Sequence, residues 1–401
     1  MCKRKSDQKT EKKVKRYNRL FPCRSRDLAK AALCFLIFLL AGSAVGSEPW
    51  RWRRASPKSQ GLSSRKLEAM REVLKQRGTK TLLIVRNDQI VYEWYASGYS
   101  RATKHYTASL AKALVGGMSL LVALDDGRIS VDDPAEKYVR QWRGDKTRQG
   151  ITVRHLATHS SGIEDAEVPG MSHYESGGWK TAFWKKKPDP FTIARDWAPM
   201  LFKPGTSFAY SNPGMAMLGY AVTASLKDAP QEDIKSLLRE RIMRPIGVPD
   251  DEWSIGYGRP YKIEGMQLYA TWGGGSYSPN AVARVGRLML RKGNWEGRQL
   301  LDATWVETVI SDAGTPAPFR GAPEGPAPRA GLCWWVNSDR VMDNLPSDAF
   351  MGAGAGNQVL LIVPSLNLIV VRNGGRLMED SFWGGLEKYL FDPLIDAVSE
   401  D

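Results

Sequence analysis

Two pairs of β-rich runs, one near each end of the chain, most strongly limit what it can fold into. The first pair lies around Asn87-Asp88 and the second around Pro364-Ser365, and each has the turn residues of a hairpin. Apolar residues at helical spacing predict helices over residues 62–76, 109–124 and 381–398. We therefore expect an α/β protein of the α+β type. One central antiparallel sheet is assembled from distant segments and flanked by helices, with a mostly helical region between its halves.

The N-terminal segment predicts export. Residues 1–30 hold 12 of the 57 Lys and Arg residues but only 3 of the 43 Asp and Glu residues. An uncharged run of 16 residues, 31–46, follows and ends in the small residues Ala44-Val45-Gly46. A basic region, an apolar core and small residues in this order are typical of a secretory signal, and the run is short for a membrane-spanning helix.

Residues 1–46 are therefore expected to be a basic tail with a signal peptide or an anchor. Residues 47–401 would form a single exported domain, periplasmic or held at the outer face of a membrane. Cleavage after Gly46 and an uncleaved membrane tether through Ala31–Gly46 both stay open, and a buried core helix is the alternative to export. No nucleic-acid partner is expected, because only +5 of the formal net charge of +14 lies outside residues 1–30. Cleavage would leave Cys333 as the only cysteine, without an internal disulfide.

Ser109-x-x-Lys112, at the start of the second predicted helix, is the first candidate for catalysis. Residues i and i+3 share a helix face, so the hydroxyl and the amine become neighbours. A serine becomes a nucleophile when a base takes its proton, and a lysine can be that base if its pKa is lowered. The same spacing occurs at Ser6–Lys9 in the tail and at Ser63–Lys66, where helix capping explains the serine. Only Ser109 begins a nearly uncharged helix. Lys112 in that helix must therefore either have a polar partner or take part in the chemistry.

Tyr210-Ser211-Asn212 is the second candidate. A tyrosine beside a lysine can move a proton between nucleophile and leaving group. A carboxamide can both donate to and accept from a substrate amide or ester. A plain turn is the alternative interpretation, because the turn residues Pro204-Gly205 and Pro213-Gly214 surround this motif.

A run of small residues that leads into a strand, 352–356, is the third candidate. Small residues on a strand let a substrate approach the backbone, whose N–H groups can complete an oxyanion hole. The run lacks the Lys-[Ser/Thr] of a phosphate-binding loop. A plain Gly-rich bend before a hairpin is the alternative.

Taken in order, the three motifs resemble those of the serine β-lactamase-like hydrolases. The Tyr-x-Asn motif is similar to the class C branch, which includes penicillin-binding-protein-like peptidases, carboxylesterases and 6-aminohexanoate-dimer hydrolases. The resemblance covers residues 55–395 and includes the segments 127–138, 151–162, 203–220 and 273–301. It implies a β-lactamase-like fold and hydrolysis of a small-molecule or peptide-like ester or amide through an acyl-enzyme. It implies neither a cofactor nor a metal.

The resemblance also implies a role for each residue. Ser109 would be the acylated nucleophile, Lys112 its base partner and Tyr210 a proton relay. Asn212 would contact the substrate. Gly352-Ala353-Gly354 would replace the family's Lys-Thr-Gly or His-x-Gly, so the N–H of Ala355 would join that of Ser109 in the oxyanion hole.

The sequence departs from the family at Gly352, where a Lys or His is expected. That cation would help to bind a substrate carboxylate, so its absence favours an esterase or amidase over a β-lactamase or a D-Ala-D-Ala peptidase. A non-catalytic peptidoglycan-binding relative is a further alternative, which the intact Ser109, Lys112 and Tyr210 disfavour. His155 and His159 have the spacing of a zinc helix, but Leu156 stands where such a helix needs a glutamate, and a metal site is not expected.

Overall fold

The structure of this protein is a computed structural model that describes residues 50–320 and 327–398, so the predicted signal peptide or anchor lies outside the described residues. The described strands are β1 (Arg53–Arg54), β2 (Thr79–Arg86), β3 (Gln89–Tyr95), β4 (His105–Tyr106), β5 (Trp253–Ser254), β6 (Tyr261–Ile263), β7 (Met266–Leu268), β8 (Ser276–Tyr277), β9 (Asn294–Trp295), β10 (Arg298–Gln299), β11 (Arg329–Ala330), β12 (Trp335–Val336), β13 (Phe350–Gly354), β14 (Gln358–Val363) and β15 (Leu368–Gly374). The described α-helices are α1 (Ser64–Gln76), α2 (Met118–Asp125), α3 (Val153–Ala157), α4 (Gly178–Lys185), α5 (Pro190–Asp196), α6 (Asn212–Ser225), α7 (Ile234–Leu238), α8 (Pro279–Leu290), α9 (Ala303–Ile310), α10 (Phe382–Leu386) and α11 (Asp392–Ala397).

An eight-stranded central sheet joins the two ends of the chain, as the sequence predicts. Its strand order is β1-β3-β2-β15-β14-β13-β12-β11. The pairing of β15 with β2 is antiparallel and brings Leu368 opposite Arg86. The edge strand β1 instead runs parallel to β3, so the sheet is mixed rather than purely antiparallel. The predicted central sheet is thus antiparallel except at this edge, where two residues of extended chain before α1 join it.

The first predicted hairpin is confirmed by its turn. Arg86 pairs with Gln89, which leaves Asn87 and Asp88 as a two-residue loop. Both loop residues have positive φ, 51° and 60°. Asn and Asp tolerate this left-handed conformation better than most residues, and it suits the twist of a tight hairpin.

Both faces of the central sheet are buried. Leu83 and Leu360 face a cluster that includes α2, α6 and α8, while Leu82 and Leu361 face a second cluster that includes α1 and α11. Successive side chains of β2 and β14 point to opposite faces of the sheet. Because both faces are buried, nearly all of these side chains are apolar. The predicted helices over 62–76 and 381–398 form the cover of one face.

The predicted helix over 109–124 is a helical run with an irregular beginning. A short 3₁₀ turn at Ala108–Leu110 leads into a π-helical stretch at Lys112–Gly117 and then into α2. Among the described residues, only Ala108–Asp125 is a helix long and apolar enough to cross a membrane, and 89% of it is buried inside the protein. It is therefore the central core helix, and its first turns carry the Ser-x-x-Lys motif.

Ser63, which begins the other described Ser-x-x-Lys sequence, caps a helix. Its side chain accepts from the backbone N–H of Lys66 at the start of α1. The capping interpretation of this serine is confirmed, and it distinguishes this sequence from the one at the core helix.

Candidate active site

Ser109 lies at a strained entry to the core helix. Ala108, which precedes it, has φ of 47°, in the left-handed region that residues with a side chain rarely adopt. The turn is held by Thr107, whose Oγ1 donates to Gly274 O at 2.6 Å and whose carbonyl accepts from Leu110 N at 3.1 Å. Strain of this kind persists only where the surroundings enforce it, and it is concentrated at functional sites.

Three residues of the two sequence motifs meet at one oxygen atom. Lys112 Nζ donates to Ser109 Oγ at 3.2 Å, and Tyr210 Oη donates to the same oxygen at 2.9 Å. Lys112 Nζ also lies 4.6 Å from the centre of the Tyr210 ring. The structure thus brings Ser109, Lys112 and Tyr210 together, with a hydroxyl between an amine and a phenol.

Lys112 is buried, and its amine is fully engaged. Besides Ser109 Oγ, Nζ donates to Asn212 Oδ1 and to Trp272 O, both at 2.7 Å. Burial lowers the pKa of Lys112 well below its usual value, although the negative charges of Glu167 and Asp165 oppose this shift. The neutral form of the amine, which can accept a proton from a hydroxyl, is therefore far more populated here than in an exposed lysine.

The Tyr210 phenol keeps its proton. Burial raises the pKa of Tyr210 well above its usual value, and the nearby Glu167 and Asp165 add to the shift, while the hydrogen bond with Ser109 opposes it. The ring packs against His159, at a centroid distance of 4.6 Å, and against Trp335, at 6.5 Å. In this state Tyr210 is a hydrogen-bond donor to Ser109 and not a base.

Asn212 contacts Lys112 and Asp165 through the two ends of its carboxamide. Its residue is 1% exposed, and both ends of its carboxamide are occupied. Oδ1 accepts from Lys112, and Nδ2 donates to Asp165 Oδ1 at 3.0 Å. Each end of the amide thus has a protein partner, and the substrate contact expected for Asn212 stays a prediction.

The small-residue strand packs directly against the turn that carries Ser109. A Cβ atom added to Gly354 would lie 2.6 Å from Leu110 N and 2.8 Å from Ser109 N. Only a glycine allows β13 to come this close. Ala355 follows at the exposed end of the strand. This placement suits the predicted pairing of the Ala355 and Ser109 N–H groups.

Close packing also leaves no room for a larger side chain at Gly352, where the resemblance leads one to expect a Lys or His. A Cβ atom added to Gly352 would lie 2.7 Å from both Ala113 Cβ and Leu110 Cδ1. The strand has thus approached the core helix at the place where the family's Lys or His would stand.

We expect Gly352→His to lower the free energy of unfolding by about 1–3 kcal/mol, because the larger residue overpacks the contact with Ala113 and Leu110. Urea unfolding measures the change. Gly375→His is the matched control, since an added Cβ there has no neighbour closer than 3.8 Å. Equal stability of the two variants would contradict the close packing of β13.

The two histidines with zinc-helix spacing point to different partners. His159 Nδ1 accepts from Ser211 N at 3.2 Å, and His155 Nδ1 accepts from Thr152 N at 3.2 Å. Burial lowers the pKa of His159 to about 3, so this ring is neutral. Within residues 50–320 and 327–398, no group of three His, Cys, Asp or Glu side chains could hold a metal ion.

Sequence reasoning missed Asp165, the carbonyl of Trp272 and the aromatic support of Tyr210. Asp165 lies outside the three sequence motifs, and a backbone carbonyl gives no signal in a sequence. His159 and Trp335 also line a small cavity of about 10 Å³ beside Ser109 and Lys112. A cavity of that size holds about one water molecule.

Known proteins resemble this chain in sequence and in fold. The family model named Beta-lactamase matches residues 68–373, which is more than half of the chain. The 6-aminohexanoate-dimer hydrolase of Paenarthrobacter ureafaciens is 23% identical over 336 residues, which cover 80% of this chain and 79% of that protein. A Bacillus anthracis structure provisionally named a 6-aminohexanoate-dimer hydrolase has a TM-score of 0.66 at 19% identity and covers 87% of each chain. EstCE1, a hydrolase with promiscuous acyltransferase activity, has a TM-score of 0.60 at 15% identity, covering 85% of this chain and 99% of its own. The structural likenesses confirm the predicted fold.

Proposed function

Because this chain belongs to the β-lactamase family of serine hydrolases, we propose that it cleaves an ester or an amide through an acyl-enzyme on Ser109. The observation that carries this proposal is the meeting of Lys112 Nζ and Tyr210 Oη at Ser109 Oγ. A nucleophile between a buried amine and a neutral phenol has both a proton acceptor and a proton donor within reach.

The acylation step follows from the two pKa directions. Neutral Lys112 takes the Ser109 proton while Oγ forms a bond to the carbonyl carbon. The backbone N–H groups of Ser109 and Ala355 stabilise the negative oxygen of the tetrahedral intermediate. Tyr210 gives its proton to the departing alcohol or amine and regains one from Lys112, whose ammonium form lies beside its ring. A water molecule then attacks the acyl group, and the same groups act in reverse to release the acid.

The electrostatics of the site favour a substrate without a carboxylate near the scissile bond. No cation stands at Gly352, whereas the carboxylates Asp165 and Glu167 lie close enough to shift the pKa values of Lys112 and Tyr210. The relatives named as a 6-aminohexanoate-dimer hydrolase and as an esterase agree with an amide or ester substrate. We therefore place simple esters and linear amides ahead of β-lactams and D-Ala-D-Ala peptides.

A substrate panel tests this order. The purified chain is given nitrophenyl acetate, the linear dimer of 6-aminohexanoate, a chromogenic cephalosporin and a peptide ending in D-Ala-D-Ala. We expect turnover of the ester or of the linear amide, and much slower turnover of the other two. Preference for the cephalosporin or the peptide would support β-lactamase or peptidase activity instead. Binding of peptidoglycan without turnover of any substrate would support the non-catalytic alternative.

Tyr210→Phe should lower kcat for the ester by about 10²- to 10⁴-fold, because it removes one hydroxyl that donates to Ser109 and leaves the ring in place. Tyr277→Phe is the matched control. The Tyr277 hydroxyl is buried without a hydrogen-bond partner among the described residues, so its loss should leave kcat unchanged. Steady-state kinetics of nitrophenolate release measures both variants. A Tyr210→Phe variant as active as the control would remove Tyr210 from the mechanism.

We also propose that the enzyme is exported by its N-terminal segment. The proposal rests on the basic residues 1–30 and the uncharged run 31–46. Fractionation of cells that express the full chain should find it outside the cytoplasm, and deletion of 31–46 should retain it inside.

A further inference from the structure

The carboxylate of Asp165 accepts several hydrogen bonds close to Lys112. Its Oδ1 accepts from Asn212 N at 2.8 Å, from Asn212 Nδ2 at 3.0 Å and from Ala166 N at 2.8 Å. Burial and the neighbouring Glu167 raise the pKa of Asp165, while the Asn212 donors oppose this shift. Three N–H groups directed at one oxygen atom require an acceptor, which an ionised carboxylate provides best.

These hydrogen bonds determine which way the Asn212 carboxamide faces. Nδ2 has donor hydrogens only, and Asp165 is its acceptor. Oδ1 is therefore directed to the opposite side, where it accepts from Lys112 Nζ at 2.7 Å. Without the carboxylate, rotation of the amide by half a turn would place its N–H₂ group against the ammonium of Lys112, donor against donor.

We propose that Asp165 is a positioning residue of this active site, which acts on Lys112 through the fixed carboxamide of Asn212. The inference rests on the proposed function, since it assigns Asp165 to the orientation of the base that activates Ser109. In other active sites too, a buried carboxylate fixes the orientation of the catalytic base. Here a carboxamide stands between the two charged groups.

The carboxylate also acts on the charge of Lys112. The charged and titratable groups that face Lys112 are Glu167 and Asp165 from the segment after α3, Cys333 before β12, and Tyr210 and His159 at its sides. Of these, Asp165 is the anion connected to Lys112 through a single amide. Removal of its negative charge destabilises the ammonium form, so the pKa of Lys112 should fall further.

Asp165→Asn tests the proposal with almost no change in shape. In the full chain we expect kcat for nitrophenyl acetate to fall by about 10- to 100-fold with little change in KM, because the base is misplaced rather than the substrate. The acidic limb of the pH–rate profile should move to lower pH. Lysine side-chain NMR, which needs no turnover, should show Lys112 titrating at lower pH. Asp189→Asn is the control, because Asp189 caps α5 and asparagine caps equally well.

The exchange variant Asp165→Asn/Asn212→Asp keeps one carboxylate and one carboxamide but places the charge directly at Lys112. It should raise the pKa of Lys112 above that of the parent and move the acidic limb to higher pH. An unchanged pH profile and unchanged Lys112 titration in a folded Asp165→Asn variant would overturn the proposal. Failure of both the single and the exchange variant to fold would assign Asp165 a purely structural role and would overturn it too. If the parent turns over neither the ester nor the linear amide, the proposed function fails, while the NMR titration still decides the inference.

Discussion

Ser109→Ala should abolish acylation and lower the rate of ester hydrolysis by about 10⁴-fold or more, because it removes the hydroxyl that both Lys112 and Tyr210 contact. The fold should persist. Lys112 Nζ keeps its contacts with Asn212 and Trp272 when the serine oxygen is removed. Release of nitrophenolate measures the rate, and mass spectrometry of the quenched protein shows whether an acyl group is attached at Ser109.

Ser63→Ala is the matched control for this experiment. Ser63 and Lys66 have the same spacing as Ser109 and Lys112, but the Ser63 hydroxyl caps α1. The control variant should lose about 1 kcal/mol of unfolding free energy and no activity. An Ser109→Ala variant that keeps full activity, or an acyl group found on another residue, would contradict the acyl-enzyme proposed here.

The parts of the fold that the sequence predicts are those with local causes. The hairpin at Asn87-Asp88 requires only two β-rich runs and two residues that tolerate positive φ. Beyond these local causes, we expected only that strands from both ends of the chain share one sheet, since a two-stranded hairpin alone is marginally stable. The sequence did not indicate that β2 pairs with β15. The parallel edge strand Arg53–Arg54 was not predictable, since two residues carry no periodicity. The π-helical stretch at Lys112–Gly117 escaped prediction because one extra residue per turn leaves no trace in a uniformly apolar sequence.

The same distinction applies to the candidate site. The neighbourhood of Ser109 and Lys112 follows from helical spacing. No spacing rule places Tyr210 beside them, and its expected role came from the chemistry of a tyrosine next to a lysine together with the resemblance to a family. Asp165 contacts Asn212 across 47 residues, and no spacing rule connects them. For that reason the sequence could not indicate that the two ends of the Asn212 amide contact a lysine and a carboxylate, which only the tertiary structure brings to it.

Loss of the Lys112 amine should have the second large effect. Lys112→Met keeps an unbranched apolar side chain in the core helix but removes the proton acceptor of Ser109. We expect kcat to fall by about 10²- to 10⁴-fold. The acidic limb of the pH–rate profile should disappear from the residual activity if Lys112 is the group that must lose its proton. Nitrophenyl acetate kinetics between acidic and alkaline pH measures both effects.

Lys112→Arg separates basicity from positive charge. A guanidinium stays protonated in proteins, so it keeps a cation beside Ser109 but cannot take its proton. We expect Lys112→Arg to be as impaired as Lys112→Met, and Lys66→Arg in α1 to behave like the parent. Substantial activity in Lys112→Arg would mean that the site needs only a charge. The proton of Ser109 would then have to leave by way of Tyr210, whose raised pKa makes its phenolate hard to form near neutral pH. The comparison of these two variants therefore decides which of the two neighbours of Ser109 is the base.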